Sequence, residues 1–209
     1  MSAVISPPEQ VVLLRNTTWE TYQRLLAERG ESANPRFTFD RGVLEIMTVF
    51  VEHERAKGVL TLLFELMAFE FGIDFENTGS TTFQREDLDR GFEPDASFYL
   101  RNPERIRGLK RLDLSVDPAP DLLIEIDITH SSLNKLSVFA AVGVPEVWRY
   151  DGRNMFIFKL EGSTYEQQPT SHALPGVTRE VLESFLANSE DISRLEWMRT
   201  VREWAANRR

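Results

Sequence analysis

The sequence contains no cysteine. Disulfides and thiolate-bound metals are therefore excluded, and a reducing, cytoplasmic setting is the expectation. Long apolar runs are missing as well. The best candidate for a membrane span, Val59 to Phe71, is short and interrupted by Glu65 and Glu70, so no membrane partner is expected. Met1 to Leu14 has no basic start and only a broken apolar piece, so no secretion signal is expected either. Basic residues are the minority: 24 Lys and Arg stand against 33 Asp and Glu, a net charge of −9. A chain of that sign is not a general polyanion binder. Contact with a nucleic acid would need a local basic patch or a bound cation.

What is present suits a folded enzyme-sized unit. With 209 residues, 42% of them hydrophobic, the chain is long enough for one sizeable core. We expect one domain over residues 1–209, with an N-terminal arm at 1–15 and a C-terminal helical extension at 178–209. Thr17 and Glu20 suggest a capping box for a helix that ends at Gly30. Arg36 to Phe39 and Val43 to Thr48 alternate as a hairpin around Asp40-Arg41-Gly42. Val51 to Phe71 carries the longest helical periodicity, closed by Gly72. Glu86 to Gly91 reads as a polar turn and Ala96 to Leu100 as a strand. Glu146 to Tyr150, Asn154 to Leu160 and Thr164 to Gln168 read as strands. Near the end, Leu195, Met198, Val201 and Trp204 make an amphipathic stripe.

One stretch organises the rest: Pro120 to Lys135. Leu122, Leu123, Ile124, Ile126 and Ile128 form the apolar run of a strand buried on both faces. Asp121, Glu125 and Asp127 interrupt it, and their odd spacing puts them on one face. Carboxylates inside such a run are costly unless paired, hydrogen-bonded or bound to a metal. Thr129, Ser131 and Ser132 offer helix caps. Asn134 and Lys135 then open a helix to about Val142, from whose first turn Lys135 can point back at the strand end. A second acid, Asp95, starts another strand after Pro94. Oxygen donors of this kind suit Mg²⁺ or Mn²⁺. Such an ion polarises a phosphodiester and activates water, and a neighbouring lysine neutralises charge in the transition state.

These motifs carry a resemblance. Pro94-Asp95, then Glu125 with a following lysine, resembles the PD-(D/E)xK nuclease superfamily. Within it, Glu93-Pro94-Asp95, Glu125-Ile126-Asp127, Lys135 and Gly143-Val144-Pro145-Glu146-Val147-Trp148 resemble the Uma-two family of restriction endonucleases, over roughly Arg36 to Gln168. The resemblance implies an α/β (α+β), restriction-endonuclease-like fold. Its central mixed sheet would be flanked by helices, with an N-terminal helix-hairpin. It also implies metal-dependent DNA cleavage, with Asp95 and Glu125 as ligands of Mg²⁺ or Mn²⁺ and Lys135 as the catalytic lysine. Asp127 stands where the superfamily's simplest pattern has its lysine, and reads either as an auxiliary ligand or as a brake. His53 and Glu54 open the long helix where this fold brings an acid near the site. His53 reads as a core-edge histidine or a ligand, and Glu54 as a surface acid or an auxiliary group. Asp121 lies too close to Glu125 to be the motif's first acid and reads as a residue that starts the strand.

Between Arg101 and Pro118 lies a long connection with a basic first half. Arg105, Arg107, Lys110 and Arg111 are either a solvated surface or contacts to DNA phosphates. A metal-dependent endonuclease that works as a homodimer is the favoured reading, because one site per chain cuts one strand. The amphipathic stripe near the end is its expected interface. A binding or scaffolding protein that keeps the fold without catalysis is the alternative. A glycosidase with paired carboxylates is weaker, because Lys135 would have no part in it.

Overall fold

The computed structural model describes residues 10–30, 32, 34–128 and 133–208. The chain opens with β1 (Gln10–Arg15), α1 (Trp19–Arg29), and the hairpin β2 (Arg36–Asp40) and β3 (Val43–Thr48). The long helix α2 (Val51–Phe71) follows, then β4 (Glu76–Asn77), β5 (Phe83–Arg85), β6 (Arg90–Phe92), β7 (Ala96–Tyr99) and the single turn α3 (Pro103–Ile106). The second half contains β8 (Leu122–Ile126), α4 (Lys135–Val142), β9 (Glu146–Tyr150), β10 (Met155–Glu161), β11 (Thr164–Gln168), α5 (Arg179–Asp191) and α6 (Arg194–Ala206).

The expected central mixed sheet is six-stranded, in the order β11-β10-β9-β8-β7-β4. Its one parallel pair is β8 and β9, joined by the crossover helix α4. All five residues of β8 are buried, as their apolar run requires. Beneath the sheet lies α2, which buries Leu60, Leu63, Phe64 and Met67 against Phe98, Ile124 and Trp148. Helix α4 covers the other face with Val138 and Phe139. The Glu of the GVPEVW stretch is structural: Glu146 is buried and accepts hydrogen bonds from Trp148 Nε1 and Ser171 Oγ at 2.6 Å. No described helix is long and apolar enough to cross a membrane.

A second, antiparallel sheet, β1-β3-β2-β6-β5, was not legible as such. The hairpin turn is the tight kind its residues demand, with positive φ at both Arg41 and Gly42. The strand β6 lies in the segment expected to be a turn. It is three residues long and contains Gly91, whose missing side chain makes room for the Tyr22 ring. The N-cap of α1 is Thr18 rather than Thr17; Thr18 Oγ1 accepts from the Thr21 N–H at 3.2 Å. The N–H of Thr17 instead donates to the hairpin turn at Gly42 O, at 3.0 Å. The proposed caps of α4 at Thr129, Ser131 and Ser132 lie outside the described residues, as do residues 1–9 of the arm.

The stripe on α6 faces inward. Val201 is fully buried, Met198 and Trp204 pack on the main core, and only Leu195 is well exposed, at 60%. Arg202 on the same helix donates to Glu70 of α2 at 2.6 Å.

The two sheets meet at the corner Glu93-Pro94-Asp95, between β6 and β7. Glu93 is buried and accepts from both terminal nitrogens of Arg29, at 2.5 and 2.6 Å. It also accepts from the Phe37 N–H at 2.8 Å and the Thr82 hydroxyl at 2.5 Å. Replacing Glu93 with Ala leaves a buried guanidinium without its anion. We expect a loss of about 3–5 kcal/mol of stability, read from urea denaturation. A loss below roughly 1 kcal/mol, the scale of an exposed pair, would show that the corner is held by other contacts.

Candidate active site

The corner delivers Asp95 to the start of β7, directly across from β8. Ala96 pairs with Ile124, and the same register sets Asp95 opposite Glu125. The two carboxylates are tied through backbone. The Asp95 N–H donates to Glu125 Oε1 at 3.3 Å, and the Ile126 N–H donates to Asp95 Oδ2 at 2.6 Å. Both side chains are buried. On its other oxygen Asp95 receives the ring Nε2 of His53, at 2.6 Å, and an ion pair from Arg36. Arg36 also reaches Glu54 Oε1 at 3.0 Å, and Lys57 reaches the second oxygen of Glu54 at 3.3 Å. His53 is therefore a buried partner of Asp95, and Glu54 is linked to the site through Arg36.

Lys135 projects back toward Glu125 from the first residue of α4. Its Nζ lies 3.2 Å from Glu125 Oε2, and both side chains are largely buried. Burial pushes the Glu125 carboxyl above its ordinary range, and the nearby cations Lys135 and Arg36 only partly offset it. Burial pulls Lys135 the other way, but Glu125, Glu45 and Asp127 together outweigh it, so the ammonium is held charged. The cavity beside this pair, about 260 Å³, is lined by Glu125, Asp127, Lys135, Phe139 and Arg149 among others.

Two buried residues of this site went unnoticed in the sequence. Glu45, in the middle of β3, accepts from the Leu133 N–H at 3.1 Å and acts on Lys135 through space. Its signal is the one that singled out Glu125, an acid inside the apolar run Val43-Leu44-Glu45-Ile46-Met47. Arg36 has no comparable signal, because a cation at a strand start is ordinarily solvated. Asp121 does start its strand as expected, accepting from the Leu100 and Arg101 N–H groups at 2.8 and 3.0 Å.

The basic connection is not brought to this site. It leaves the end of β7 away from Asp95 and enters β8 at Leu122, the end away from Glu125. Arg101 is thus six residues along from Asp95, roughly 20 Å of extended chain. Arg107 is engaged by Glu76 at 2.5 Å and Asp74 at 3.2 Å. Arg105 and Lys110 are exposed, as is Arg111, which borders a separate cleft with Arg85 and Asp113.

The fold defines a class first, that of mixed α/β proteins with a nuclease-type sheet. A crystal structure of a putative nuclease belonging to DUF820 from Anabaena variabilis ATCC 29413 shares the fold, with a TM-score of 0.57 and 15% identity. The match covers 81% of this chain and 98% of that one. The family follows directly. Residues 19–190 match Uma2, described as "Putative restriction endonuclease", and the chain belongs to that family. No curated protein matches it.

The residues present fit a hard divalent cation. Among the described residues no group of three or more His, Asp or Glu side chains converges as a ready-made metal cage. Mg²⁺ does not require one, since it is commonly held by one or two carboxylates and keeps several waters. Asp95 and Glu125 provide such a pair. Carboxylates are also in excess: Glu45, Asp95, Glu125 and Asp127 face Arg36, Lys135 and Arg149.

The Glu125–Lys135 pair makes a stability prediction for the metal-free protein. A carboxyl whose folded pKa is raised gives stability that is full below its unfolded pKa and is lost as pH rises through the folded one. Lys135→Met removes the cation and raises Glu125 further. The destabilisation by this variant, measured by urea unfolding in EDTA, should therefore be larger at pH 8 than at pH 5. The difference should grow by at most about 1.4 kcal/mol per pH unit. Equal destabilisation at both values would show that Lys135 does not act on Glu125.

Proposed function

We propose that this protein is a divalent-cation-dependent endonuclease that hydrolyses phosphodiester bonds in DNA. The observation that carries the reading is the side-by-side pair Asp95 and Glu125 with Lys135 against Glu125. Membership of the Uma2 family supports it. In this reading Asp95 and Glu125 would hold Mg²⁺ or Mn²⁺, which would supply Lewis-acid activation of the phosphate and of the attacking water. His53 orients Asp95, as partners of metal-ligating carboxylates commonly do. Lys135 faces the charge that develops on the phosphoryl oxygens. Asp127 lines the cavity as an auxiliary acid, and Glu54 acts only through Arg36. Phosphate contacts from Arg105, Lys110 and Arg111 would fall on DNA well away from the scissile bond.

Two strands cut by one site per chain favour a homodimer, and its surface must lie outside the inward stripe of α6. A cytoplasmic location belongs to the same reading. The alternative, a nuclease fold kept only for binding, is favoured by the seating of Arg36 on Asp95.

Plasmid and short duplexes incubated with the protein and Mg²⁺ or Mn²⁺, against EDTA, separate the two. Metal-dependent cutting is expected; its absence on every substrate would favour the binding protein. Asp95→Asn should lose both cutting and divalent-ion binding measured by calorimetry. Lys135→Met should keep ion affinity while turnover falls by about a hundredfold or more, the scale for one lost preorganised electrostatic contact. Near-normal turnover would remove Lys135 from the mechanism. Asp127→Asn should be intermediate if that acid is a ligand and faster than the parent if it is a brake.

A further inference from the structure

Among the described residues Arg149 has no anionic partner. It sits on β9 in direct register with Glu125 on the parallel neighbour β8, and it lines the same cavity as Glu125, Asp127 and Lys135. Carboxylates are therefore close by, yet among the described residues the Arg149 side chain makes no ion pair and no hydrogen bond. Its Nε is buried and lacks an acceptor. The guanidinium is instead held over two aromatic rings of the next strand, 5.1 Å from the centroid of Phe156 and 5.2 Å from that of Phe158. Phe156 is the register partner of Arg149, and the two rings stand nearly parallel, 16° apart.

Each of these facts has a physical reading. Stacking on aromatic faces fixes the plane of a guanidinium without using its N–H groups. A donor edge preset in this way loses little entropy when an anion arrives. A buried Nε–H with no acceptor is unfavourable until one is supplied. The planar fork of arginine suits two oxygens of a phosphate. The cavity it lines is also lined by Glu125 and Lys135 rather than being a remote surface.

We infer that Arg149, held by Phe156 and Phe158, forms a phosphate subsite that grips a backbone phosphate of the nucleic-acid strand next to the bond being cut. The inference rests on the nuclease reading above and adds to it a positioning residue for the substrate. Lys135, which lines the same cavity, faces the reacting phosphate. Arg149 faces its neighbour and so sets the register of the strand over Asp95 and Glu125.

The test is binding of a fluorescent DNA duplex in EDTA, where no cutting occurs, across a series of salt concentrations. Arg149→Met should weaken binding by about ten- to hundredfold, as expected for a lost hydrogen-bonded charge contact. It should also reduce the slope of log affinity against log salt by about 0.9, one phosphate's worth of released counterion. Arg149→Lys should restore the slope but not the full affinity, because it keeps the charge and loses the fork. A purely structural stacking role would lower the urea midpoint and leave the slope unchanged, and that result overturns the subsite. Should Arg149→Met fold poorly, Arg149→Lys with parental affinity would overturn the inference just as well. Wild-type protein that cuts DNA while both variants bind normally would sink the subsite alone. Wild-type protein that neither binds nor cuts would sink the nuclease reading as well.

Discussion

The carboxylate of Glu93 holds the molecule's two sheets in one arrangement. It lies out of water, where an unpaired charge is prohibitively unfavourable. Arg29, the Phe37 N–H and the Thr82 hydroxyl all converge on it. These partners come from α1, from the first strand of the hairpin, and from the connection before β5. A single buried anion thus joins the N-terminal sheet to the corner from which β7 departs, and Asp95 is the last residue of that corner.

The candidate site is assembled from both sides of that corner. Glu45 and Arg36 come from the hairpin, His53 from the first turn of α2, and Asp95, Glu125 and Lys135 from the central sheet and its crossover helix. Apart from Asp95, held in the corner before β7, the groups sit on strands and helices, so their separations are set by backbone pairing. Such placement is what preorganised electrostatics requires. It also explains why so many charges are tolerated out of water: each buried acid has a backbone N–H or a cation at hand.

The parts of this arrangement that were legible share one physical signature. An acid inside an apolar strand is costly, so Glu125 announces itself, and a period of two puts Asp127 on its face. Asp95 was readable as the acid that leads into a strand after Pro94, in the Pro-Asp motif of the resemblance. Lys135 followed from the short reach between a strand and the helix after it. Glu45 carries the same signature as Glu125 but was passed over, because 88 residues separate it from Leu133 and nothing local reveals that the two meet. The basic connection shows the opposite case. Its charge density was plain, but which end of the β7–β8 pair it occupies depends on topology, and topology sets it far from the carboxylates. The stripe on α6 likewise has the right periodicity for an interface, and periodicity alone does not distinguish the chain's own core from a second copy. The second sheet was hidden because β6 is short and built around Gly91, where a side chain would collide with Tyr22.

Pro94 turns the corner into a stiff lever. Its ring fixes φ, so the carboxylates of Glu93 and Asp95 stand on either side of a joint with little play. One arm of the lever ends on α1, through Arg29; the other ends between the strands that carry the candidate chemistry. The packing of α1 and the position of Asp95 are therefore not independent: the residue that anchors Arg29 stands two places before Asp95 in the chain.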